Sequence, residues 1–169
     1  MQPFYFSSED VQGWVAWMLF RADSETEGIL WWNNRERRWI VHTHLHPGPT
    51  TAREEHASQF PHQDPGEIIP FRARPLSGLT PVSSRGPTLE DARRFLEGDA
   101  PRVILLAPEG WYMLRKTRTI RDLQSLLSKW RACSRENATL LDEHRWEPLR
   151  RAGVRVTRHR WDPSDLVGR

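Results

Sequence analysis

The sequence predicts an α+β domain built on one mixed sheet flanked by helices, with a basic helical extension at its C-terminal end. Three observations carry that reading. Strand-like runs fall in hairpin pairs, 28–32 with 39–44 and 102–107 with 111–115. Stripes of apolar residues at helical spacing stand before and between these pairs, as at Val11, Trp14, Val15 and Met18. A chain of 169 residues, 37% hydrophobic and 28% charged, suffices for one real core and one appended element.

The elements follow in order. Ser7 with Asp10 resembles a capping pair and predicts a helix from there to about Asp23. The strands 28–32 and 39–44 are joined by the polar turn Asn33-Asn34-Arg35-Glu36. The stretch 47–65, rich in Pro, His and small polar residues, reads as a long surface loop. A short strand is expected at 67–71, followed by a second loop holding Pro75, Gly78, Pro81, Gly86 and Pro87. Thr88 caps the next helix, with Asp91 three residues on and Ala92, Phe95 and Leu96 as its buried face. The second hairpin turns at Pro108-Glu109-Gly110, and helical stretches are expected at 120–132 and 137–144 before a last strand at 154–159. The division expected is a domain over 1–116 and an extension over 117–169, packed on the domain or on a partner.

Composition excludes several classes of function. No apolar run approaches the ~18 residues that a membrane-spanning helix needs. The first twenty residues, interrupted by Glu9 and Asp10, do not resemble a signal peptide, so the expected compartment is the cytoplasm. A single cysteine, Cys133, rules out an internal disulfide and a cysteine-cluster zinc site. Charge is uneven along the chain: 1–116 holds 13 basic and 15 acidic residues, net −2, whereas 117–169 holds 12 and 7, net +5. Only Lys116 and Lys129 of the 25 basic residues are lysine. The arginine bias suits either genome composition or an interface that wants planar guanidinium groups.

Histidines offer one candidate site. His42, His44 and His46 alternate, so on a strand all three project from one face, where neutral imidazoles suit Zn²⁺. His56 and His62 stand in the following loop as further possible ligands. The plainer reading is a polar strand face whose histidines meet solvent or carboxylates.

A second constellation is dispersed: Glu25 in Ser-Glu-Thr-Glu-Gly-Ile-Leu, Ile-Ile-Pro-Phe-Arg-Ala-Arg-Pro at 68–75, and Gly-Pro-Thr-Leu-Glu-Asp at 86–91. The order of elements around them resembles the JAB/MPN (JAMM) family, the zinc isopeptidase fold of deubiquitinases, in its prokaryotic branch. Pro47-Gly48-Pro49, with Ser58 and Phe60 after it, is similar to that branch's Pro-Gly-Pro loop, and 102–115 to its final hairpin. The likeness covers about residues 3–116 and implies a JAB/MPN-like (cytidine-deaminase-like) mixed sheet. Active members hold Zn²⁺ with two histidines of a His-x-His-Pro stretch and the aspartate of Ser-x-x-Asp. A glutamate serves as general base on the metal-bound water, and the serine steadies the oxyanion.

Carried over residue by residue, the resemblance makes Glu25 the base, with Glu27 a second register, Asp91 the ligand, and Thr88 the hydroxyl in place of serine. The His-x-His-Pro stretch falls on Arg72-Ala73-Arg74-Pro75, and there the match fails. A guanidinium is always charged and has no lone pair free for a metal. Two arginines at those positions imply a dead site in which Arg72 or Arg74 pairs with Asp91 or Glu25, and no cofactor. Thr88 and Asp91 also have an ordinary use as a helix start.

The alternative is an active zinc isopeptidase drawing its ligands from His42, His44 and His46 with Asp91, and its base from Glu25. Chain distance favours the dead site: Glu25 to His44 is 19 residues, and Glu25 to Arg72 is 47, room for the hairpin and loop that the fold inserts. The expected function is therefore a pseudoenzyme that binds or scaffolds a protein, first of all a ubiquitin-like protein or a conjugation component. A third reading is a nucleic-acid adaptor through the C-terminal arginines interleaved with Trp130, Trp146 and Trp161. Scattered acids such as Asp122 and Glu136 count against that one.

Overall fold

The strands form in the order the hairpins predict, and the turns show why. β1 (Thr26–Asn33) and β2 (Arg38–Thr43) are joined by a turn in which the Asn33 side-chain oxygen accepts from the backbone N–H groups of Arg35 and Glu36. Arg37 closes that turn at φ 54°. β3 (Pro65–Ala73), β4 (Arg102–Ala107), β5 (Gly110–Lys116) and β6 (Val154–Arg160) complete one six-stranded sheet in the order β2-β1-β3-β4-β5-β6. Every neighbouring pair is antiparallel except β3 with β4, so the sheet is mixed. The computed structural model describes residues 18–19, 22, 24–43, 52–75, 87, 89–117, 124–125, 128, 150–151 and 153–161.

Two helices have described spans: α1 (Ala52–Gln59) and α2 (Leu89–Glu97). The first corrects the reading of 47–65 as loop. Ala52, Glu54, Glu55, Ala57 and Gln59 include good helix formers, and the two acids sit in the first turn where the helix dipole favours them. The segment lacks an apolar stripe, and of its residues only His56 is buried. β3 is also longer than expected and tolerates Pro70 within it. Pro70 has no N–H to give, and the parallel ladder with β4 begins at the next residue, Phe71 opposite Ile104.

Period-two alternation divides the strands between two cores. On one face, Leu105, Ala107, Tyr112, Leu114 and Val154 pack with Ala92, Phe95 and Leu96 of α2. On the other, Leu30, Ile69, Phe71, Ile104 and Leu106 pack with Met18 and Leu19, which are helical and belong to the expected first helix. The tryptophans of the first hairpin belong to the interior: Trp31 is fully buried and Trp39 nearly so. β6 pairs along its length with β5, so the sequence boundary at residue 116 falls between two neighbouring strands of one sheet. No helix among the described residues is long and apolar enough to cross a membrane. The expected helix at 137–144 and most of 120–132 lie outside the described residues.

Candidate functional site

Three elements bring six charged side chains together. Residues two apart on a strand share a face, so Glu25 and Glu27 at the start of β1 come to one side of the sheet, as do Arg72 and Arg74 at the end of β3. The antiparallel register sets Glu27 directly opposite Arg72. Arg74 continues the parallel ladder one step beyond β3, its backbone N–H donating to the Leu106 carbonyl. Asp91 arrives from above, in the first turn of α2, where the positive end of the helix dipole suits a carboxylate.

The contacts form a chain of alternating sign. The Arg74 guanidinium donates through Nε to Glu25 Oε1 at 2.8 Å and through Nη2 to Asp91 Oδ2 at 2.5 Å. The other Asp91 oxygen, Oδ1, accepts from Arg72 Nη1 at 3.2 Å, and Arg72 Nη2 reaches Glu27 Oε1 at 2.6 Å. Arg94, one helical turn beyond Asp91, ends the chain by donating to the same Glu27 oxygen at 2.8 Å. Glu25, Arg74, Asp91, Arg72, Glu27 and Arg94 thus carry three charges of each sign. The middle is buried and the ends are not: the Asp91 side chain is 2% exposed and that of Arg74 7%, against 54% for Arg94. Burial works against the Arg74 charge, yet the adjacent Asp91 and Glu25 carboxylates outweigh it and hold the guanidinium above its ordinary pKa.

The chain forms one end of a cleft of about 510 Å³ between α2 and strands β1, β3 and β4. Ile29, Pro70, Val103 and Leu105 give it an apolar lining, with Phe95 of α2 beside them. Lys116 bounds α2 at its far end, its Nζ donating to the Gly98 carbonyl and lying 4.9 Å from the centre of the Phe95 ring.

The histidines take a different place. His42 lies on β2 opposite Ile29, which lies opposite Pro70, so the whole of β1 stands between His42 and the strand of Arg72. Its ring meets Phe60 edge-on at 5.5 Å, and Nε2 comes within 3.6 Å of Glu55 Oε1. His56 is buried against Trp31 at 4.5 Å and Phe60 at 5.3 Å, and so docks α1 on the sheet. Burial lowers its pKa, with His42 and Arg53 pushing the same way and Asp64 opposing. His62 is exposed, and His44, His46 and Thr88 lie outside the described residues. No group of three or more metal-ligating side chains occurs among the described residues.

Of the residues singled out in the sequence, then, Glu25, Asp91, Arg72 and Arg74 meet, and His42 stands apart from them. Arg94 was missed. Its signal was its spacing of three residues from Asp91, which puts both on one helical face. Compared with family models, curated proteins and solved structures, the chain matches none.

Proposed function

We propose that the chain is a JAB/MPN-like protein whose zinc ligands have been exchanged for arginine, and that it binds or scaffolds a protein partner instead of cleaving one. One observation carries the reading: Arg74 bridges Asp91 and Glu25, the positions matching the family's ligand and base. The donor set does not fit Zn²⁺. Each Asp91 oxygen is engaged by a guanidinium, and neither arginine has a lone pair to offer. These residues instead hold a rigid, charge-balanced wall at one end of an apolar cleft. Such a cleft accepts an extended peptide without acting on it, and the first partner to test is a ubiquitin-like tail or a conjugation component.

The test begins with zinc stoichiometry by mass spectrometry, on untagged protein incubated with excess metal. The wild type should retain none, and a variant carrying both Arg72→His and Arg74→His should gain about one zinc per chain, because it restores two imidazoles beside Asp91. Binding of a ubiquitin-like protein should ignore chelators and weaken on Arg94→Glu, an exposed change at the cleft. One zinc per wild-type chain, or cleavage of a ubiquitin-like fusion that Glu25→Gln abolishes, would overturn the reading in favour of an active isopeptidase.

A further inference from the structure

The face of the sheet opposite α2 carries a separate feature at the β5–β6 edge. Successive cross-strand pairs there are Trp111 with His159, Met113 with Thr157, and Arg115 with Arg155. The Trp111 and His159 rings stack at 3.9 Å with 11° between their planes. Two like charges directly opposite each other weaken a sheet, and no carboxylate among the described residues pairs with Arg115 or Arg155. Neither β5 nor β6 contains an acidic residue. On β6, the last strand of the sheet among the described residues, Arg155, Arg158, His159 and Arg160 are all exposed. A groove of about 490 Å³ runs beside that strand, lined by Arg150, Arg155, Thr117 and Thr157 among others.

We propose that this face binds single-stranded nucleic acid, with bases on the Trp111–His159 stack and phosphates at Arg115 and Arg155. The arginine pair and the stacked rings lie four residues apart along β5, about 13 Å. Guanidinium forks match phosphate oxygens, and an aromatic platform takes any base on its π-face. An acidic peptide would use the arginines but has no need of the stack. Partial desolvation of the His159 ring lowers its pKa, which favours the uncharged form as a stacking surface. The inference is independent of the cleft and of the role proposed for it.

Fluorescence anisotropy of the full chain with a labelled oligothymidylate of about 12 nucleotides tests it. Affinity should fall with salt at a log–log slope of about −0.7 per phosphate contact, and Arg115→Ala or Arg155→Ala should each flatten that slope by about 0.7. His159→Ala should weaken binding at least about fivefold while leaving an abasic strand of equal length unaffected. His159 and Arg155 are exposed, and circular dichroism checks that the variants keep the fold. The proposal falls if the wild type does not bind at about 50 mM salt, or if the abasic strand binds as tightly as thymidylate. Oligoglutamate displacing the strand with equal potency would overturn it too, and assign the face to acidic proteins.

Discussion

Asp91→Asn keeps the shape of the side chain that links the two buried arginines and removes its charge. In the native chain of contacts three acids balance three arginines; the substitution leaves an uncompensated positive charge between Arg74 and Arg72, whose side chains are 7% and 12% exposed. Breaking a buried pair by removing one partner typically costs about 3–5 kcal/mol. For a domain of this size each kilocalorie lowers Tm by about 2–4 °C, so the expected fall is roughly 6–20 °C by scanning calorimetry. Glu36→Gln is the control. It breaks an ion pair with Arg38 in which both side chains are about half exposed, and should change stability by less than ~1 kcal/mol. A third protein, with Arg72→Met, Arg74→Met and Asp91→Leu together, should lie nearer the wild type than Asp91→Asn does, because an apolar substitute removes the need for compensation. An Asp91→Asn protein within ~1 kcal/mol of wild type would refute the argument that these charges are mutually dependent.

Three further outcomes are expected. Because burial holds the pKa values of His56 and His159 below the usual 6.5, the unfolded chain takes up protons first on acidification. Stability should be full above about pH 6.5 and decline below it, as a urea midpoint series would record, with His56→Phe removing part of the decline. Arg102, buried and held by Glu67 through two hydrogen bonds of 2.6 Å, predicts a loss of about 3–5 kcal/mol for Glu67→Gln in denaturant unfolding. Gly28 permits β1 to approach β2 closely: an added Cβ would lie 2.2 Å from the His42 carbonyl oxygen and 2.8 Å from the Phe71 ring. Gly28→Ala should therefore cost at least ~2 kcal/mol, and a Tm within error of wild type would contradict that approach.

Most of this arrangement was legible because local rules agreed with the final fold. The two hairpins announced themselves through period-two apolar runs and turn residues, and the i, i+2 spacing of Arg72 with Arg74 and of Glu25 with Glu27 placed each pair on one face. That Asp91 would join them was implied only by the resemblance to the JAB/MPN family, since a helix-start aspartate by itself points to no partner across the sheet. The helix α1 was not legible: it buries a histidine instead of an aliphatic stripe, so periodicity gave no sign of it. Nor was the length of β3, since Pro65 and Pro70 argue against a strand unless the missing N–H groups coincide with gaps in the ladder. The partner of β6 was equally hidden, because strand pairing across a long connection is decided by tertiary packing and not by the sequence near the strand.

The parallel ladder between β3 and β4 has three register pairs, against six or seven in every other ladder of the sheet. It is the narrow waist between one half, β2-β1-β3, and another, β4-β5-β6 with α2 packed on it. Asp91 belongs to the second half, whereas Arg72, Arg74 and Glu25 belong to the first, so its two ion pairs cross the waist on the face opposite the Ile69–Phe71–Ile104 packing. The charge chain is thus also a rivet between two cooperative units. Sub-global opening of the molecule should begin along this line, with the amides of Arg74 and of β4 exchanging together once the rivet gives way.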